Sequence, residues 1–283
     1  MGIRTDLAVE AHALWKRSAG ETGALSGVRA RQAQTRGVEL TVVDILNEEG
    51  EQALGKKRGR YVTVDLTPLN RRVPDAFSSA ADVLAGQLRE LVAPEAGQGV
   101  LVVGLGNADV TPDAVGPRAL SHLLVTRHMI GRMPDVFGSL RPVCAVAPGV
   151  LGTTGLESVD IVRGVIAHAK PGRVIVIDAL AAMEPARLCA AVQLSDAGIV
   201  PGSGVGNSRA AFSLESLGVP TVSIGVPTVI DAAVLGAEDA DGLIVTPTDI
   251  DMRVREIARL IGTAVDLALF DTLTPEEIAF YVG

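Results

Sequence analysis

The sequence predicts an α/β protein: a three-layer α/β/α, doubly wound unit with a mostly parallel sheet. Three observations carry that prediction. From Gly99 onward, continuous apolar runs alternate with amphipathic stretches at helical spacing, as strands covered on both faces by helices require. The composition is 48% hydrophobic but only 3% aromatic, so the core must consist of Val, Leu, Ile and Ala packed between layers. No internal repeat or low-complexity linker divides the 283 residues. They therefore read as one domain, 1–283, with a core over about 99–283 behind a β/β/α extension over about 1–98.

Taken in order, "TVVDIL" from Thr41 and "YVTVDL" from Tyr61 read as strands bridged by the polar, Gly-containing segment 47–60. Asp75 to Val92 has helical spacing and stops before Pro94. Then "GVLVVGLG" is a strand, "GPRALSHLLVTRHMI" a helix opened by Pro117, "PVCAVA" a strand, "GLESVDIVRGVIAHA" a helix and "RVIVIDAL" a strand. "ARLCAAVQL" and "VPTVSIGV" are further strands around a Gly-rich loop, "GIVPGSGVGN". A helix follows from about Asp249 to Phe270. The last helix is announced by "TPEE", where Thr274 caps, Pro275 fits the first turn and Glu277 completes a capping box.

Net charge is −8, and the one dense basic run, "GKKRGR" from Gly55, is short. Duplex binding through phosphate neutralisation requires a broader basic surface, so no direct nucleic-acid partner is expected. Neither a signal peptide nor a long apolar span is read, which predicts a cytoplasmic protein with no membrane partner. Cys144 and Cys189 lie in apolar contexts and read as buried thiols.

Two acids stand out. Asp113 follows "VLVVGLG" and Asp178 follows "VIVI", and ligands of doubly wound sheets collect beyond the carboxyl ends of strands. Each also has a plainer reading, Asp113 as a turn or cap residue and Asp178 as a helix cap or loop anchor. If they converge, two carboxylates in one site hold a proton between them and activate a water, as amide hydrolysis needs.

Other motifs are weaker. "GEQALGKK", Gly50 to Lys57, has phosphate-loop spacing but places Lys57 where Ser or Thr should stand, so it reads as an exposed turn. "GSGVGN" supplies Gly202, Ser203, Gly204, Gly206 and Asn207, which read equally as a tight turn or as a loop cradling an anion or peptide carbonyl. His12, His122, His128 and His168 lack metal-ligand spacing, so no metal or cofactor is expected. No G-x-S-x-G elbow is present, and neither cysteine has an adjacent activating base.

Several strings together are specific: "RTDLAVEAH", "GKKRGRYVTVD", "VVGLGNADVTPDAVGPRAL", "VTRH", "PGVLGTTGLES", "VIVIDALAA", and "PGSGVGN" followed by "ESLGVPTVSIGVPTVIDA". In this order they resemble the germination protease (spore protease) family of endospore-forming bacteria over nearly the whole chain. The resemblance implies a metal-independent, aspartic-type endopeptidase whose paired aspartates, in the "TPDA" and "IDALA" strings, fall on Asp113 and Asp178. It also implies small acid-soluble, DNA-coating spore proteins as substrate, a homotetramer, a spore-core location and a fold similar to the hydrogenase maturation proteases. "GLGNADVTPDAVGPRAL" looks like the "GxGN…DDGxG" string of those maturation enzymes, interrupted by Pro112 and Ala114. Their nickel-reading carboxylate and histidine set has no counterpart here.

The family is made as zymogens with a pro-segment, whereas only Met1, Gly2 and Ile3 precede "RTDLAVEA" here. The resemblance thus implies a zymogen, while the sequence departs from the family at this point and puts self-activation by removal of a long pro-segment in doubt. It also lacks a long insertion that many relatives carry after "VPTVIDA". Two other functions fit the same residues: a precursor-processing protease of the hydrogenase-maturation type, and a non-catalytic protein binding a small anion at the strand-end cleft.

Overall fold

The computed structural model describes residues 5–19, 25–95, 97–206, 209–236 and 243–282. Its centre is a sheet of nine strands: β1 (Val28–Thr35), β2 (Val38–Ile45), β3 (Gly59–Asp65), β4 (Val100–Gly104), β5 (Val143–Val146), β6 (Arg173–Ala182), β7 (Ala191–Ser195), β8 (Thr221–Asp231) and β9 (Ile244–Val245). They lie in the order β1-β2-β3-β7-β8-β6-β4-β5, with β9 on the end of β8.

The α/β class holds, but the mostly parallel sheet expected from the sequence is corrected to a mixed one. Strands β5, β4, β6 and β8 run parallel, whereas β1, β2, β3, β7 and β9 join through antiparallel ladders. Connection length is the reason. β1 and β2 are joined by Arg36 and Gly37 alone, both at positive φ (52° and 77°). That two-residue turn suits the twist of a hairpin and cannot make a parallel crossover. The extension's strands thus belong to the same sheet as the core, through the β3–β7 ladder.

The helices are α1 (Ala8–Ala19), α2 (Glu48–Leu54), α3 (Thr67–Asn70), α4 (Ala76–Val92), α5 (Val115–Leu120), α6 (Arg127–Arg132), α7 (Pro134–Phe137), α8 (Leu151–Thr154), α9 (Ser158–Ala169), α10 (Leu214–Leu217), α11 (Ile250–Leu269) and α12 (Pro275–Val282). One face of the sheet, with Val42, Val62, Val102, Ile175, Val192 and Ile224, packs against α4, α5 and α11. On the other face Leu101, Val103, Val174 and Val176 meet α9, while Val43, Ile45 and Tyr61 meet α1. Between those two patches lie Gln193, Ser195, Ser223 and Asp178, all buried. Residues 5–8 cross this polar strip, with Gln193 accepting from the Ala8 N–H at 2.7 Å and donating to the Asp6 carbonyl at 3.2 Å.

Several local expectations change. The helix read over 116–130 is two short helices, because the turn between them surrenders its donors to other elements. The Leu124 N–H goes to Asp266 of α11, and the Thr126 N–H to the Val143 carbonyl. The strand read over 186–194 is confined to β7, since Cys189 adopts a left-handed backbone (φ 51°) and donates its N–H to Pro227. "GEQALGKK" is no exposed turn: residues up to Leu54 form α2, capped by Asn47, which accepts from the Gly50 N–H at 2.9 Å. At the far end the expected capping box of α12 is present, with Thr274 and Glu277 exchanging hydrogen bonds at 2.8 and 3.2 Å.

Candidate active site

The site is built where β4 stops and β6 continues. The last β4–β6 rung is the Leu105 N–H donating to the Ile177 carbonyl at 2.8 Å, after which the two chains part. The chain leaving β4 turns at Gly106 (φ 110°), where any Cβ would overlap the Asp113 carbonyl oxygen. It then folds back through a single 3-10 turn, Thr111–Asp113, into α5. The return is tight enough that a Cβ on Gly116 would strike the carbonyl oxygens of both Leu105 and Ile177. This double close approach brings Asp113 back beside β6.

Asp178 lies within β6, which runs on past it to Ala182, and its side chain is buried. Its Oδ1 accepts from the Ala179 N–H at 2.9 Å. Burial holds its pKa well above the usual carboxylate range, and the charges of Asp113 and then Asp6 push the same way against the Ala179 hydrogen bond. Asp113 is partly buried, and burial raises its pKa too, while the Asn107 N–H donating to its Oδ2 at 2.7 Å opposes the rise. The environments therefore differ in sense: Asp178 favours the protonated form more strongly, and Asp113 has a donor that favours the carboxylate.

Both acids face one cavity of about 450 Å³. Val110, Val150, Leu151, Phe212, Val229 and Ile244 make much of its wall apolar, and Glu157 pairs with Arg209 there at 3.8 Å. Of the glycine-rich loop, Gly202 lines the cavity with a left-handed backbone (φ 73°). Ser203 and Gly204 come against Asp6, Gly206 is exposed, and Asn207 lies outside the described residues. None of the four histidines lines the cavity, and among the described residues no group of three or more His, Cys, Asp or Glu is placed to hold a metal ion.

Sequence reasoning missed Asp6. It lines the cavity together with Asp113 and Asp178, and its partners are 175 to 197 positions away along the chain. The only signal was its place inside "RTDLAVEAH", which marks the string and not the role.

A family model described as germination protease matches residues 8–241, a span that contains Asp113, Asp178 and the glycine-rich loop. The chain belongs to the germination protease family. It is 40% identical to the germination protease of Caldanaerobacter subterraneus subsp. tengcongensis, with 98% of this chain and 97% of that protein aligned. It is 35% identical to that of Clostridium acetobutylicum, covering 99% of each. With the germination protease of Geobacillus sp. the identity is 43%, over 84% of this chain and 66% of the relative. Membership places the chain among peptidases of spore germination. No helix among its described residues is long and apolar enough to cross a membrane.

Proposed function

We propose that the chain is an aspartic-type endopeptidase in which Asp113 and Asp178 share a proton and activate a water against a peptide bond. The observation that carries this reading is the convergence of two acids 65 positions apart in sequence on one largely apolar cavity. The roles follow from their surroundings. Asp178, buried and kept neutral by its neighbours, donates its proton to the carbonyl oxygen of the scissile amide. Asp113, holding the Asn107 N–H, takes a proton from the attacking water and passes it to the departing amine as the tetrahedral intermediate collapses. No metal or cofactor enters this scheme.

The substrates are small acid-soluble spore proteins, supported by the family's resemblance strings and by membership of a germination family. Resemblance likewise supports a homotetramer, action in the spore core and the fold of the hydrogenase maturation proteases. The described chain works as one peptidase unit, which its single continuous sheet supports. Gly202 and its neighbours contact the substrate backbone from the cavity rim.

The test is cleavage of a purified small acid-soluble spore protein, followed by mass spectrometry, with and without chelator. Wild type should cut at defined sites regardless of chelator, and Asp113→Asn and Asp178→Asn should each lose at least about 10³-fold in rate while remaining folded. Near-normal cutting by either folded variant would refute the pair.

A further inference from the structure

Asp6 belongs to neither the "TPDA" nor the "IDALA" string, yet it lines the pair's cavity and is tied to both β6 and the glycine-rich loop. Beyond the last β4–β6 rung, the edge of β6 that faces β4 is open, and Asp6 closes it. Its N–H donates to the Ala181 carbonyl at 3.0 Å, and its Oδ2 accepts from the Ala181 N–H at 2.9 Å. Its Oδ1 accepts from the Ser203 hydroxyl at 2.5 Å, which fastens the glycine-rich loop to the same point. Gly204 lies so close that a Cβ there would overlap the Asp6 carboxylate. From below, buried Gln193 of β7 holds the backbone on either side of Leu7.

We propose that Asp6 is a positioning residue for the aspartate pair: through Ser203 it seats the glycine-rich loop at the cavity, and it sets a third carboxylate on the cavity that the pair lines. This rests on the endopeptidase reading above. The first half follows from geometry, since Asp6 is the common acceptor for β6, at Ala181, and for the loop, at Ser203. The second acts through charge. Asp113, in the turn after β4, and Asp6, in the N-terminal segment, line the same cavity as Asp178, and the charges of both oppose its ionisation. Lys56, whose Nζ donates to the Thr5 carbonyl at 2.8 Å, feels both Asp6 and Glu10, and Glu157 and Arg209 pair with each other on the cavity wall. Removing one negative charge makes the second proton of the pair easier to lose, so the alkaline limb of the pH–rate profile must move to lower pH.

The experiment measures cleavage of a purified small acid-soluble spore protein between pH 5 and 9 by wild type, Asp6→Asn, Ser203→Ala and Asp113→Asn, with thermal melts of each. Asp6→Asn should lose roughly tenfold in kcat/KM at the wild-type optimum, the worth of one charge-assisted hydrogen bond, and its alkaline limb should move acidward. Ser203→Ala keeps the charge and frees the loop, so its KM should rise about tenfold while the limb stays in place. An Asp6→Asn profile superimposable on wild type would overturn the inference, and so would an unchanged KM in Ser203→Ala. Loss as complete as that of Asp113→Asn would also overturn it, by making Asp6 part of the chemistry. If Asp6→Asn does not fold, Asp6→Glu takes its place: a raised KM with an unmoved limb supports the inference, and wild-type KM refutes it. Failure of the underlying reading looks different, because wild type would then not cut or Asp113→Asn would cut normally.

Discussion

Replacing Asp266 by Asn should remove a pH dependence of stability that has nothing to do with catalysis. Asp266 is a fully buried carboxyl of α11, and both of its oxygens accept from the Leu124 N–H at 3.1 Å. Burial pushes its pKa from 3.8 to about 8, against the pull of that single donor. The folded chain therefore keeps a proton that the unfolded chain gives up. Stability contributed by the neutral carboxyl is complete below pH 3.8 and is lost as pH rises towards 8. The window spans roughly four pH units at about 1.4 kcal/mol each, a change on the order of 5 kcal/mol between its ends. Asn keeps an acceptor for the Leu124 N–H and has no proton to lose. Urea denaturation of wild type and Asp266→Asn at pH 4, 6 and 8 isolates the effect, since all other titrating groups are common to both. The variant should be no more stable than wild type at pH 4 and should gain on it steadily with pH. Curves that stay parallel from pH 4 to 8 would refute the assignment of this buried proton.

Asp178→Asn should be inactive and yet more heat-stable than wild type at neutral pH, because burial raises the Asp178 pKa in the folded state and ionisation is then a cost that Asn does not carry; differential scanning calorimetry reads it, and a lower melting temperature would count against a neutral Asp178. Gly116→Ala should cost about 3 kcal/mol or more and depress activity, since its Cβ would strike backbone carbonyl oxygens of Leu105 and Ile177 rather than a side chain that can swing away. Wild-type melting behaviour in that variant would show the β4–β6 junction to be looser than described. Iodoacetamide at pH 8 should add at most one label to the native protein, at half-buried Cys144; Cys189 is fully buried, its thiol is pushed up to about 12 by burial, and it should react only after unfolding. Mass spectrometry of the native and urea-treated protein separates the two.

That Asp113 and Asp178 share a cavity was legible because both follow apolar strands, whose carboxyl ends gather at one edge of such a sheet, and an acid ending an apolar strand, as Asp178 does, is costly without partners. Most of the parallel half of the sheet was legible for a related reason, since strands covered on both faces leave continuous apolar strings. The antiparallel half was only partly so. Strand β1, "VRARQAQT", is largely exposed and carries no apolar alternation, and its existence depends on a hairpin turn and a partner. The break between α5 and α6 was invisible because apolar periodicity counts side chains, whereas the break is made by where the Leu124 and Thr126 N–H groups go. Asp6 was invisible for the same kind of reason: everything that makes it matter lies far along the chain.

That distance has a consequence for the order in which the molecule is made. Asp6 leaves the ribosome 175 residues ahead of Ala181, 187 ahead of Gln193 and 197 ahead of Ser203. Strands β1 to β3 pair with near neighbours and can form while synthesis continues, and Asp113 has its Asn107 donor six residues away, but Asp6 lacks its Ser203 partner until the glycine-rich loop emerges. Contacts of such long sequence separation close late in folding. A nascent chain short of Ser203 thus carries both Asp6 and Asp113 but cannot make the contact that ties Asp6 to the glycine-rich loop, so that corner of the cavity is among the last to close.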